Sequence, residues 1–192
     1  MRKLFVLEVH LAMRISPIEP ESADKQLKTV YDALKKQYGT ELNPLKVLAH
    51  RPQVMRAVMN LYGAIHTHSD TISDELKELI SLRIAQINSC RNYCVPMHTY
   101  MLHKQGTAEE KIHVLPRYAT SDLYSEAEKV ALEYAERITV PSTMVTEPLF
   151  ERLKAHYGEG DIVELTAVIS TLNFWTKFID ALEIPLDDVF KE

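Results

Sequence analysis

Apolar residues recur at helical spacing along almost the whole chain. Leu27, Val30, Tyr31 and Leu34 share one face of a segment spanning about 22–38, which Ser22 can cap and Gly39 stops. Asn43-Pro44, a capping residue followed by proline, opens a short helix to about 51, and Pro52 begins another over 52–68. The latter shows a wide apolar face of Val54, Met55, Val58, Leu61, Tyr62 and Ile65 and ends in two histidines, His66 and His68, read as polar residues at a helix end. Ser73, Asp74 and Glu75 form an acidic first turn for a helix carrying Leu79, Leu82 and Ile87, and Asn88-Ser89 marks a break after it. The next helix runs to Gln105 and stops at Gly106. Thr107 to Glu110 and Ser125 to Glu128 read as capping boxes, opening a short helix that ends before Pro116 and a longer one to about 139. Thr146 and Pro148 introduce a helix to about 157. The last, 161–182, is apolar on more than one face, as a central helix or a subunit contact would be. No window alternates convincingly at period two, so the pattern predicts an all-α fold.

At 192 residues, with 46% hydrophobic and 26% charged positions, this is one globular domain over 21–192. Residues 1–20 are expected to be an N-terminal tail or an extended start. The opening run resembles a signal peptide weakly, since Glu8 and His10 interrupt it, and Met13 reads equally well as a beginning. Glu164, Lys177 and Asp180 argue against a membrane role for the last helix. A net charge of −5 without a basic cluster interleaved with aromatics makes nucleic acid a poor partner. Two cysteines are no disulfide framework. The cytoplasm is the expected location, where such a pair is catalytic or metal-binding more often than structural.

Candidate chemistry concentrates between Glu78 and His98. On a continuous helix Cys90, Cys94 and His98 would form one stripe at i, i+4 and i+8. A histidine one turn from Cys94 can take its proton, which marks Cys94 as the nucleophile. If Ser89 caps the helix, Cys90 lies in its first turn, where the dipole lowers a thiol pKa. Periodicity alone makes Glu78 an exposed charge, because twelve helical residues set it about 18 Å from Cys90 unless the chain bends near Asn88.

Glu-x(11)-Cys, followed by Tyr-Cys-x(3)-His after Ile-Asn, resembles the signature of the alkylhydroperoxidase D-like (AhpD-like) branch of the carboxymuconolactone decarboxylase family. Supporting stretches are Leu48-Ala-His-Arg-Pro-Gln-Val-Met, Leu61-Tyr-Gly-Ala-Ile and the Asn173-Phe-Trp helix, and the likeness covers about residues 20–185. The resemblance implies an AhpD-like multi-helix bundle that assembles as a homo-oligomer, a trimer or hexamer. It further implies that Glu78 and His98 deprotonate Cys94, which attacks a hydroperoxide, and that Cys90 resolves the sulfenic acid as a disulfide. Tyr93 and Met97 would line the substrate pocket. No cofactor is bound in this reading; an external dithiol or a lipoyl-carrying protein returns the thiols.

One departure matters. The family places two residues between its cysteines, whereas here Arg91-Asn92-Tyr93 intervene. A disulfide needs Cβ atoms about 3.5–4.5 Å apart and i, i+4 helical positions leave about 5–6 Å, so Cys90 must leave regular helix to bond Cys94. Two other readings stay open. One is a cofactor-free decarboxylase or isomerase acting on a lactone through acid–base residues. The other is a non-catalytic redox sensor or metal-binding protein, although Cys90, Cys94 and His98 converge poorly on one ion and no fourth ligand is evident, so no metal is expected.

Overall fold

The structure, a computed structural model, describes residues 13–66, 69 and 71–191. Nine α-helices and three 3₁₀ turns account for its regular structure, with no strand among the described residues. In chain order the helices are α1 (Lys25–Tyr38), α2 (Asn43–Leu48), α3 (Pro52–Ile65), α4 (Asp74–Ile87), α5 (Cys94–Lys104), α6 (Glu109–His113), α7 (Glu126–Thr139), α8 (Glu147–Lys154) and α9 (Glu159–Leu182).

Local chemistry sets most of these ends. Gly39 stops α1 in the left-handed conformation, at φ 80°. Ser73 caps α4 by accepting from the Leu76 amide, and Ser125 with Glu128 closes a reciprocal capping box on α7. Three expected caps differ. Asp24 rather than Ser22 caps α1, because Pro20–Ser22 close a 3₁₀ turn ahead of it. Leu42 precedes α2, so Asn43 and Pro44 are its first two residues. Thr107 is spent on a backbone bond to Leu102, and α6 starts after Ala108 with no side-chain cap.

The centre of the bundle is α4. Residues Leu76 to Leu82 are all buried, followed by Ile84 and Ala85, with α5, α7 and α9 packed around them. The helix is central because its neighbours cover every face, whereas the sequence pattern leaves α9 as either a central helix or a subunit contact. By length and composition α9 could cross a membrane, but Ile162, Leu165, Val168, Ile169 and Leu172 belong to the same core as α4 and α7. A second cluster joins α1, α2 and the start of α3, and a third gathers Val47, Ala85, Ile179 and Ile184 around the cysteines.

Of the expected N-terminal tail, residues 1–12 lie outside the described part. From Met13 onward the lead is tied down. The Arg14 amide donates to the Leu182 carbonyl, its guanidinium pairs with Glu183, and Met13 packs against the cysteine cluster.

Candidate functional site

The break after α4 builds the site. Ser89 adopts a left-handed conformation at φ 59°, its amide donates to the Gln86 carbonyl and the Cys90 amide to that of Ala85. This is a Schellman ending in which serine occupies the position that glycine prefers. Asn88 fixes the turn on α9: its side-chain amide donates to Asn173 Oδ1 at 2.8 Å and Thr176 Oγ1 at 2.9 Å, while Lys177 donates to its oxygen. The chain reverses here, and α5 returns alongside α4.

Cys90 consequently lies outside helix, and Cys94 is the first residue of α5. The expectation of one continuous stripe, with Cys90 in the first turn, is corrected: the first-turn cysteine is Cys94. Its amide, which has no partner within the helix, donates to Cys90 Sγ at 3.4 Å. Both are free thiols, 0% and 1% exposed. The adjoining Cys90 thiol and burial among apolar side chains hold the Cys94 thiol well above the usual range. The helix N-terminus favours a thiolate by at most about 2 kcal/mol, less than taking the charge out of water costs, so the proton stays.

The same reversal brings Glu78 to His98. Glu78 is 5% exposed, not a surface charge, and its Oε2 stands 2.7 Å from His98 Nδ1. Against an ionised carboxylate, which only accepts, the hydrogen sits on Nδ1 and Nε2 is the ring's acceptor nitrogen. His98 is 2% exposed and one turn beyond Cys94 on α5, where side chains four residues apart are neighbours.

Tyr93, also buried, donates its hydroxyl to Asp187 Oδ2 at 2.7 Å, and the Asn43 amide donates to Asp187 Oδ1 at 3.0 Å. Burial, and then the Asp187 charge, push the Tyr93 phenol well above its ordinary value, so it offers no base. Burial likewise raises the Asp187 carboxyl against the opposing effect of these bonds. Met97 is half-buried against the cysteine cluster. Of the two histidines after α3, His68 lies outside the described residues. His66 ends α3 with its ring 4.1 Å from that of Tyr62 and with Nε2 buried and unpartnered among the described residues. Among the described residues, no group of three or more His, Cys, Asp or Glu side chains is placed to hold a metal ion.

The profile of the carboxymuconolactone decarboxylase family matches residues 52–137. The uncharacterised protein YdfG of Bacillus subtilis is 35% identical over 132 residues, 68% of this chain and 88% of YdfG. The chain belongs to the carboxymuconolactone decarboxylase family. Among solved structures, this family member is similar to an uncharacterised peroxidase-related protein from Ralstonia eutropha, described as an alkylhydroperoxidase AhpD core, with 20% identity, a TM-score of 0.82, and 94% and 95% of the two chains covered. It is similar also to the debrominase Bmp8, with 22% identity, a TM-score of 0.80 and coverage of 92% and 94%. These likenesses establish the AhpD-like all-α fold.

Proposed function

We propose that this family member is a thiol-dependent hydroperoxide reductase. The observation that carries the reading is the buried Glu78–His98 pair at 2.7 Å, one helical turn from Cys94, whose amide donates to Cys90 Sγ. A buried thiol whose surroundings retain its proton needs a base, and the free Nε2 of His98 is one.

In the first step Cys94 yields its proton to His98 Nε2 while Glu78 holds Nδ1–H and steadies the imidazolium. The thiolate attacks the terminal oxygen of R–O–O–H. The S–O bond forms, the O–O bond breaks, and the leaving alkoxide takes the proton from His98, giving Cys94–SOH and ROH. Cys90 then attacks the Cys94 sulfur, releasing water and forming the disulfide. Its place outside the helix frees it from the i, i+4 spacing that would otherwise hold the two apart. An external dithiol or lipoyl-carrying protein takes the oxidising equivalents and restores both thiols; no bound cofactor takes part. Tyr93 and Met97 flank the sulfurs and line the approach of the substrate. The cytoplasm, where thiols are kept reduced, suits such a cycle. The half-exposed apolar residues Val54, Leu61 and Phe174 on α3 and α9 support a homo-oligomer, a trimer or hexamer in this reading.

The test is a free-thiol count by intact mass before and after one equivalent of an organic hydroperoxide. The expected result is loss of two hydrogens in wild type and no disulfide in Cys94→Ser. A lasting gain of one oxygen without a disulfide would remove Cys90 as resolver. Inertness of both proteins would overturn the peroxidase reading. The acid–base alternative, lactone decarboxylation or isomerisation, draws on the same Glu78–His98 pair without the thiols, and survival of activity after thiol alkylation would select it.

A further inference from the structure

Cys90 and Cys94 are fully buried, so no reagent reaches either sulfur while the bundle keeps this conformation. One wall of their cluster is the segment that follows α9. Glu183 ends that helix in the left-handed conformation at φ 51°, which a residue with a Cβ rarely adopts. Arg14 holds this corner from the N-terminal lead, donating to the Ala181 carbonyl and to the Glu183 carboxylate. Beyond it every third residue turns inward. Ile184 enters the cluster of Cys90, Tyr93 and Cys94, Asp187 meets Tyr93, and Phe190 lies against Tyr100 of α5 with ring centroids 5.5 Å apart. Leu186 packs against the same cluster, while Pro185 and Asp188 face solvent.

The fastening is polar and centred on Asp187. Its carboxylate accepts from the Tyr93 hydroxyl and the Asn43 amide, and the Asn43 side chain donates to the Pro185 carbonyl at 3.1 Å. These donors are neutral, and a carboxylate buried on neutral donors recovers less than it gives up in leaving water, which is why burial raises the Asp187 carboxyl. A carboxylate and a phenol are rehydrated when they part. The seam therefore opens at smaller cost than the apolar contacts around it.

We propose that segment 184–190 is a strap over the dithiol, hinged at Glu183 and latched by the Tyr93–Asp187 hydrogen bond, and that it lifts to admit reagents to Cys94 and Cys90. Because Tyr93 immediately precedes Cys94, release of the latch also frees the turn that must move for the two sulfurs to bond. The inference adds an access step to the proposed thiol chemistry and rests on that reading for what enters, whereas the strap itself can be tested without a peroxide.

The experiment follows alkylation of the reduced full-length protein by iodoacetamide, counted by intact mass, across pH 7–9 and in low urea. Tyr93→Phe and Asp187→Ala should each speed modification of both cysteines by roughly 10–100-fold, the reach of one hydrogen bond to a charged group. The pH dependence should match wild type, and the rates should vary little with urea below the unfolding transition, as local opening requires. Unchanged rates, a gain that follows an altered pH dependence, or a gain whose urea dependence matches global unfolding would overturn the proposal. Should the variants misfold, wild type supplies a second measurement. The Phe190 amide, which donates to the Asp187 carbonyl at 3.1 Å, should exchange its hydrogen with the same opening constant that gates alkylation, while the amides of α4 stay protected. Thiols that react only on global unfolding would overturn the strap. Gated alkylation in a protein inert to hydroperoxide would uphold it and remove the peroxidase reading alone.

Discussion

In the proposed relay, Glu78 and His98 act as one unit. Both are buried, and the single hydrogen bond between Nδ1 and Oε2 sets which ring nitrogen is left to accept a proton. Glu78→Gln offers an amide where the carboxylate stood and removes the charge that steadies an imidazolium. Hydroperoxide reduction, if that is the activity, should then fall by about 10²–10⁴-fold, the usual reach of a positioned base. His98→Gln should cost a similar factor, and the double variant no more than the larger single loss, because residues acting as one unit are not additive. Steady-state rates of the three variants, with helicity checked by circular dichroism, decide this. Additive losses would show that Glu78 and His98 act separately.

Among elements, the junction of α4, α6 and α7 shows how charge fixes packing at a distance from the site. Lys111 on α6 reaches Glu75 on α4 at 3.2 Å and Glu128 on α7 at 2.7 Å, and Glu128 also completes the capping box with Ser125. Partial burial would raise the Glu128 carboxyl, but the Lys111 ammonium and the Ser125 donors outweigh it and hold it below the usual carboxylate range. A carboxyl depressed in the folded state stabilises above its unfolded pKa, and that contribution is lost as pH falls through the folded value. Glu128→Gln should therefore cost about 1 kcal/mol at pH 7, a typical cap contribution, and the difference from wild type should close below about pH 4. Urea midpoints at pH 7 and pH 3 measure both ends. An equal deficit at both would assign the effect to shape and not to charge.

For the whole molecule, the cysteine cluster shares Val95 with the main core and Trp175 and Phe178 with the α1–α3 cluster. This sole tryptophan packs against the α1–α3 cluster and against the cluster of Cys90 and Cys94, with its indole nitrogen buried and unpartnered among the described residues. Drawing the two sulfurs into a bond must shift the segment 90–94 against α9, in a core too densely packed to absorb the movement silently. Tryptophan emission should thus change on adding hydroperoxide, with the time course of thiol loss, and should not change in Cys94→Ser. An emission trace that stays flat while two thiols disappear would show that oxidation leaves the junction undisturbed.

Elements with strong local signals were legible in the sequence. The proline starts of α2 and α3, Gly39, Ser73 and the Ser125 capping box each act over three or four residues, so the chain alone carries the information. The all-α class, the Asn88-Ser89 break and the residue types of the site were legible for the same reason. Others were not. Ser22 and Thr107 have capping chemistry, but neighbouring turns used their backbone first. Glu78 reads as a surface charge because helical periodicity cannot say how many neighbours a helix has, and α4 has one on every side. That Cys94 rather than Cys90 begins α5, that its thiol keeps its proton, and that Glu78 meets His98 all depend on which segments fold back against which. Spacing along the chain fixes neighbours within a helix. Burial and the partners across helices, which set hydrogen bonds and charge states, exist only once the bundle has closed.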